Sequence, residues 1–219
     1  MIKNIIFDFD GVIVDSEVLA SKAFTHFFSK SGLKVKEEQF YTYAGMKTVD
    51  VIEKLSIKFS INDKKKFTDD IFKIISTVYF KDLKLVEGAK KYILNSKKNH
   101  FIGSNSNKDR IIDGLKIVGM SNFFPSDKIY SFEMVLKPKP NPDIYLKVLS
   151  DNNLNIDETI VLEDSGVGVK AAKLAGLRVF GITSGKHWHS KRDKNELYDN
   201  GALNVFNTYE DLEMALKGL

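Results

Sequence analysis

The chain contains no cysteine and only four prolines in 219 residues. Without cysteine, disulfides, thiolate metal sites and cysteine nucleophiles are all excluded. No apolar run approaches the roughly 18 residues that a membrane-spanning helix needs, so no membrane association is expected. A basic stripe interleaved with aromatics is missing too. Lys and Arg together number 33 against 29 Asp and Glu, a net charge of +4, and the lysines are scattered while the acids gather in short motifs. That excess reads as solubility and a mild pull on small anions, not as nucleic-acid binding. Lys64-Lys65-Lys66 and Lys97-Lys98 read as solvated helix faces. Apolar sequence follows Met1 almost at once, so no signal peptide is expected, and the expectation is a cytoplasmic monomer.

What is present is enough to bury a full core, in one large domain or in a domain carrying an insertion. The chain is organised around Asn4 to Glu17, NIIFDFDGVIVDSE. Asn4-Ile5-Ile6-Phe7 reads as a strand buried on both faces of a parallel sheet. It runs into Asp8 and Asp10, which point to the same side if the chain stays extended, with Phe9 turned away and Gly11 allowing a turn. Two carboxylates held about 4 Å apart at an effective dielectric near 20 repel by roughly 4 kcal/mol. Either one is protonated, or a hard divalent cation sits between them, and oxygen-only ligands favour Mg²⁺ over Zn²⁺.

After Glu17 the periodicity becomes helical. Leu19, Ala23, Phe27 and Phe28 share one face, ended by Ser31-Gly32, and His26 lies off that face as a packing or surface residue. Val51, Ile52, Leu55 and Phe59 make a second apolar set, and Phe67, Ile71, Ile74, Ile75 and Val78 a third. Tyr43-Ala44-Gly45-Met46-Lys47 breaks the pattern between the first segment and the second. This block is a helical insertion between the first strand and the rest.

From Glu87-Gly88 onward, helix and strand alternate. Helices are expected at 89–97, 109–118, 142–149, 165–175 and 209–217, and strands at 100–104, 128–131, 159–162 and 178–182. The pattern predicts a doubly wound, Rossmann-like parallel sheet whose sites lie beyond the carboxyl ends of its strands. Polar residues do gather at those ends. Ser104-Asn105-Ser106-Asn107-Lys108 could seat a phosphate at a helix N-terminus or be a plain Ser/Asn cap. Leu136-Lys137-Pro138-Lys139-Pro140-Asn141-Pro142-Asp143 holds three of the four prolines, a stiff base from which a lysine can present its ammonium and also a rigid lead into a helix. Glu163-Asp164-Ser165 supplies a second acidic pair. The following Gly166-Val167-Gly168-Val169-Lys170-Ala171 fits G-x-G-x-x-A, but two carboxylates directly before the glycines would repel a pyrophosphate, so a dinucleotide site is rejected.

Asp-Phe-Asp-Gly-Val, Gly-Ser-Asn-Ser, Lys-Pro-Asn-Pro-Asp and Leu-Glu-Asp-Ser, in this order at strand ends, resemble the haloacid dehalogenase-like hydrolase superfamily, in its β-phosphoglucomutase-like branch. The resemblance implies an α/β core of residues 1–15 and 82–219 and a helical cap of residues 16–81 that closes over the site. It implies Asp8 as the nucleophile accepting a phosphoryl group, Asp10 as general acid/base, Ser104 and Asn105 on the phosphoryl oxygens, and Lys139 offsetting the charge on Asp8 and phosphate. Asp164, with Glu163, Asp8 and Asp10, would hold Mg²⁺. Glu17, Gly45, Met46 and Lys47 are the cap residues expected to face the site, where Gly45 marks a close approach or a simple turn. The expected activity is hydrolysis of a small phosphorylated metabolite through an aspartyl-phosphate, with a phosphosugar mutase as the alternative. Mutases of this branch carry a His in the first cap segment and an Arg soon after the cap's glycine. The corresponding positions here are Ala20 and Thr48, which favours hydrolysis. A phospho-accepting signalling domain would put its acceptor on a later strand and need no insertion, and a dehalogenase has no use for Asp10 or a second acidic pair.

Overall fold

The structure, a computed structural model, describes residues 1–40, 43, 48–190 and 192–217. The chain forms two compact units, one of Met1–Asp15 with Lys84–Leu219 and one of Ser16–Leu83.

Strand β1 is Asn4–Phe7, with all four residues buried. The chain then enters the second unit, where every regular element among the described residues is helical: α1 (Glu17–Lys30), α2 (Thr48–Lys58) and α3 (Lys64–Asp82) are the α-helices. Their apolar faces meet in one core around Phe28, whose ring stacks on Phe40 at 5.9 Å and lies 4.2 Å from Phe59 and 5.7 Å from Phe67. Val51, Ile52, Leu55 and Ile71 complete it, which is why these positions recur at helical spacing. Asp63 caps α3 by accepting from the Lys66 N–H at 2.9 Å. His26 is exposed.

In the first unit, the passes of chain leading out and back are paired. Asp15 N–H donates to Lys84 O and Val86 N–H to Ile13 O, both at 2.9 Å. The alternation then follows: α4 (Ala89–Asn95), β2 (Asn99–Ser104), α5 (Lys108–Ile117), β3 (Ile129–Ser131), α6 (Asp143–Asp151), β4 (Thr159–Glu163), α7 (Gly166–Leu174), β5 (Arg178–Ile182), α8 (Asn195–Asn200), β6 (Asn204–Phe206) and α9 (Tyr209–Leu216). The sheet runs β3-β2-β1-β4-β5-β6, and every neighbouring pair is parallel. This is the doubly wound order that the alternation predicts.

β6 and α8 were not anticipated from periodicity. β6 is a three-residue edge strand with one buried residue and α8 is a six-residue helix, each too short to show a period.

Strand order reverses at β1, which has β2 on one side and β4 on the other. A ligand crevice therefore opens beyond the carboxyl ends of β1 and β4. Asp8 follows one and Asp164 the other, and Asp8 N–H donates to Leu162 O at 2.9 Å.

The glycines after β4 are packing residues. Ser165 caps α7 by accepting from the Gly168 N–H at 3.1 Å, and a Cβ on Gly168 would overlap the Glu163 carboxylate. Gly168→Ala therefore forces the helix and the buried carboxylate apart, at a cost of about 1–3 kcal/mol. Thermal denaturation should show a clear drop for Gly168→Ala and almost none for Val167→Ala, whose side chain is exposed.

Candidate active site

Lys139 sits at the centre of the strand ends. It is 4% exposed, while Lys137 is open to solvent. Its Nζ donates to Asp8 Oδ1 at 2.8 Å and to Glu163 Oε1 at 2.6 Å, and it lies 4.9 Å from the centre of the Tyr145 ring. Asn105 holds the lysine's backbone at both ends: Lys139 N–H donates to Asn105 Oδ1 at 3.0 Å, and Asn105 Nδ2 donates to Lys139 O at 3.1 Å. The extended, proline-flanked segment is thus fixed by a side chain from the β2 loop.

Asp8, Glu163 and Asp164 are all buried and each offers an oxygen within 4.8 Å of the others. Burial pushes the Asp8 carboxyl well above the usual carboxylate range, Lys139 pulls it back, and the charges of Glu163 and Asp164 push it up again. Burial and Glu163 raise Asp164 in the same way, against the pull of Arg192 and Lys139. Burial alone would lower Lys139, but the charges of Asp8 and Glu163 outweigh it and hold the ammonium well above the ordinary lysine value. Three buried acids around one buried lysine leave excess negative charge, which a cation would neutralise.

Glu163 has its oxygens occupied. Oε1 accepts from Lys139 and from the Tyr145 hydroxyl at 2.7 Å. Oε2 accepts from Asp164 N–H at 3.1 Å and from Ser165 Oγ at 3.1 Å. The sequence expectation placed Glu163 on the metal; the structure also makes it the anchor of Lys139.

Asp10 takes different partners from Asp8. Ser106 Oγ donates to Asp10 Oδ2 at 2.5 Å, and Arg110 Nη2 donates to Oδ1 at 3.0 Å. The strand ends at Phe7, and Gly11 turns the chain just after Asp10 with φ +79°. Among the described residues, the three-carboxylate cluster does not include Asp10.

Ser104 is 1% exposed, and its Oγ accepts from Ser106 N–H at 3.0 Å. Asn107, not Ser104 or Asn105, caps α5, with Oδ1 accepting from Arg110 N–H at 2.8 Å. Glu17 opens α1 in the second unit. Gly45, Met46 and Lys47 lie outside the described residues.

Sequence reasoning passed over Ser106, Arg110, Tyr145 and His187. Ser106 lay in a stretch already marked as polar at a strand end, and His187, whose Nε2 is 2.7 Å from Asp164 Oδ2, follows β5 by the same rule. Arg110 and Tyr145 sit on helices and reach the site only through folding, so no local signal names them.

A family model described as haloacid dehalogenase-like hydrolase matches residues 5–182. The 6-phosphogluconate phosphatase of Escherichia coli K12 is 26% identical over 188 residues, 85% of each chain. The phosphorylated carbohydrates phosphatase of Thermotoga maritima is 27% identical over 215 residues, 96% of each. A haloacid dehalogenase-like protein from Agrobacterium tumefaciens superposes with a TM-score of 0.87 at 29% identity, covering 100% of this chain and 99% of that one. With its sheet order, its acidic strand ends and a family match that spans most of its length, this chain belongs to the haloacid dehalogenase-like hydrolases.

Proposed function

We propose that the chain is a Mg²⁺-dependent phosphatase that hydrolyses a small phosphorylated metabolite, a sugar phosphate or phosphorylated sugar acid, through a phosphoryl group carried on Asp8. The reading rests on the buried Lys139 bridging Asp8 and Glu163 beside Asp164. The two relatives named above support the substrate class, since their names specify phosphorylated carbohydrates. The same reading makes the enzyme a cytoplasmic monomer, with the second unit as its cap.

The residues fit a hard divalent cation. The donors are oxygens alone, in a chain without cysteine, and the cluster carries more negative charge than Lys139 offsets. Because Glu163 is engaged by Lys139, Tyr145 and Ser165, Asp8 and Asp164 are the side chains that would hold Mg²⁺. Bound there, the cation would neutralise charge on the phosphoryl group and orient it.

An Asp8 oxygen attacks phosphorus and the bond to the leaving alkoxide breaks, with Lys139 offsetting charge on the reacting oxygens. Asp10 gives its proton to the leaving oxygen. Then Asp10 removes a proton from water, the water oxygen attacks the phosphorus, and the bond to Asp8 breaks, releasing inorganic phosphate. Arg110 and Ser106 hold the Asp10 carboxyl in the structure, so Asp10 must loosen at least one of these bonds to reach the leaving oxygen. The Asn105 amide is taken by the Lys139 backbone, and the Ser104 hydroxyl accepts from Ser106 N–H, which leaves the Ser104 O–H to donate to a phosphoryl oxygen.

Net hydrolysis fits better than mutase chemistry. Ala20 packs against the phenylalanine core of its own unit, and Thr48 begins α2 without a charge to hold a second phosphate. Neither can do the work of His and Arg.

Three outcomes test this reading. Asp8→Asn should lower turnover of p-nitrophenyl phosphate with Mg²⁺ by roughly three orders of magnitude or more, because it removes the nucleophile; substantial residual turnover would exclude the covalent route. The same variant should be more stable than wild type when metal-free. The raised folded-state value of Asp8 means that the native state binds more protons than the unfolded chain between the two pKa values, so wild-type stability is lost as pH rises through the folded value. Asn imitates the neutral carboxyl, so the gap in melting temperature should widen as pH rises above about 4, the ordinary carboxylate range, and shrink on adding Mg²⁺. Finally, hexose 1-phosphate supplied with catalytic hexose 1,6-bisphosphate should yield inorganic phosphate by ³¹P NMR. Hexose 6-phosphate forming faster than phosphate would identify a mutase.

A further inference from the structure

The segment that carries Lys139 turns at once into α6. Asn141 N–H and Asn141 Nδ2 both donate to Pro138 O at 3.0 Å, and Tyr145 N–H donates to Pro142 O at 3.0 Å. Lys139 and Tyr145 therefore reach the strand ends from one short, braced stretch of chain. Tyr145 is 0% exposed. Its ring belongs to the core with Ile6 and Val161, and a Cβ on Gly103 would lie 3.4 Å from its Cε1, so the ring is packed against the middle of the sheet.

The polar end of this core side chain meets the charged group. The Tyr145 hydroxyl donates to Glu163 Oε1 at 2.7 Å, the same oxygen that accepts from Lys139 Nζ at 2.6 Å. Lys139 Nζ also lies 4.9 Å from the centre of the Tyr145 ring, within reach of a cation–π attraction. Burial first, and the charge of Glu163 after it, hold the phenol well above its ordinary value, so it stays a donor. An ammonium has three N–H groups. Asp8 takes one and Glu163 another, which leaves the third for a phosphoryl oxygen.

We propose that Tyr145 is a positioning residue for Lys139: by sharing Glu163 Oε1 it keeps the ammonium between Asp8 and Glu163, with one N–H left for the substrate. This rests on the phosphatase reading above. A carboxylate oxygen shared between a phenol and an ammonium draws each less strongly than it would draw one alone. Without the hydroxyl, the full pull of that oxygen falls on Lys139 and takes the ammonium toward Glu163, away from Asp8 and the phosphoryl group. The lysine then still neutralises buried charge but no longer serves the reacting oxygens. The loss falls on kcat, because the charge on those oxygens is redistributed in the transition state.

Tyr145→Phe keeps the ring and removes the donor. It leaves Glu163 with Lys139, Ser165 Oγ and the Asp164 N–H as partners, so no buried acceptor is stranded. Steady-state kinetics with p-nitrophenyl phosphate and Mg²⁺ would compare wild type, Tyr145→Phe, Lys139→Met and the double variant, each checked for folding by thermal denaturation. The expected result for Tyr145→Phe is a kcat lower by about tenfold or more, short of the 10²–10³-fold loss typical of removing a stabilising donor outright, with KM within about threefold of wild type. In the Lys139→Met background the same change should alter kcat by less than about twofold, because a residue that acts through the lysine has nothing left to act on. 4-Aminophenylalanine in place of Tyr145 returns an N–H to the same oxygen and should recover most of the lost turnover. An unchanged kcat for Tyr145→Phe would overturn the inference. So would equal fold-losses in the two backgrounds, the mark of damage that does not pass through Lys139. Either result leaves the phosphatase reading standing. If Tyr145→Phe does not fold, 4-methylphenylalanine at that position, which fills the hydroxyl's space without a donor, takes its place with the same expected loss and the same overturning results. A wild-type chain that releases no phosphate from any ester would remove the phosphatase reading and this inference with it.

Discussion

One buried lysine holds this site together. Lys139 is enclosed at the strand ends with bonds to both Asp8 and Glu163, and neither its charge nor theirs would be tolerable there alone. Removing the lysine would leave its carboxylate partners uncompensated in a poorly solvated place, which typically costs about 3–5 kcal/mol. The group is also unbalanced, because Asp164 adds a further carboxylate. Imbalance of this kind costs stability and creates affinity for a cation and for chemistry that redistributes charge, which is the trade expected at catalytic sites.

The supports of Lys139 come from widely separated parts of the sequence, and the sheet order explains why they meet. β1 lies between β2 and β4, so Asp8 from the first, the Asn105 loop from the second and Glu163 from the third converge on one end of the sheet. Lys139 enters from the segment before α6, and Tyr145 on that helix donates to the same Glu163 oxygen as the lysine. Gly168 is small because that carboxylate lies against α7. A sequence pattern that resembles a phosphate-binding glycine loop is here a clearance for a buried acid.

The two aspartates of the first motif are partitioned by their neighbours. Asp8 faces Lys139 and the other buried acids, whereas Asp10 is half-buried between Arg110 and Ser106. Residues two apart in sequence thereby acquire separate environments, which is what a proposed nucleophile and a proposed acid/base require. The turn that follows, at Gly11, has a φ of +79°, in the left-handed region that glycine adopts freely.

Much of this was legible in the chain alone. The buried run of β1, the alternation after Gly88 and the clustering of acids, amides and a proline-flanked lysine at strand ends are local patterns, and local patterns survive in sequence because hydrophobic period and turn chemistry act over a few residues. They determined the sheet, the helical insertion and Asp8, Asp10, Lys139 and Asp164 as the residues to examine. What only the tertiary structure decided is the pairing. That Glu163 tethers the lysine, that Arg110 and Ser106 take Asp10, that Asn105 binds backbone, and that His187 reaches Asp164 are contacts between segments far apart in the chain. Such contacts follow from strand order and helix packing, and no spacing within a single motif encodes them.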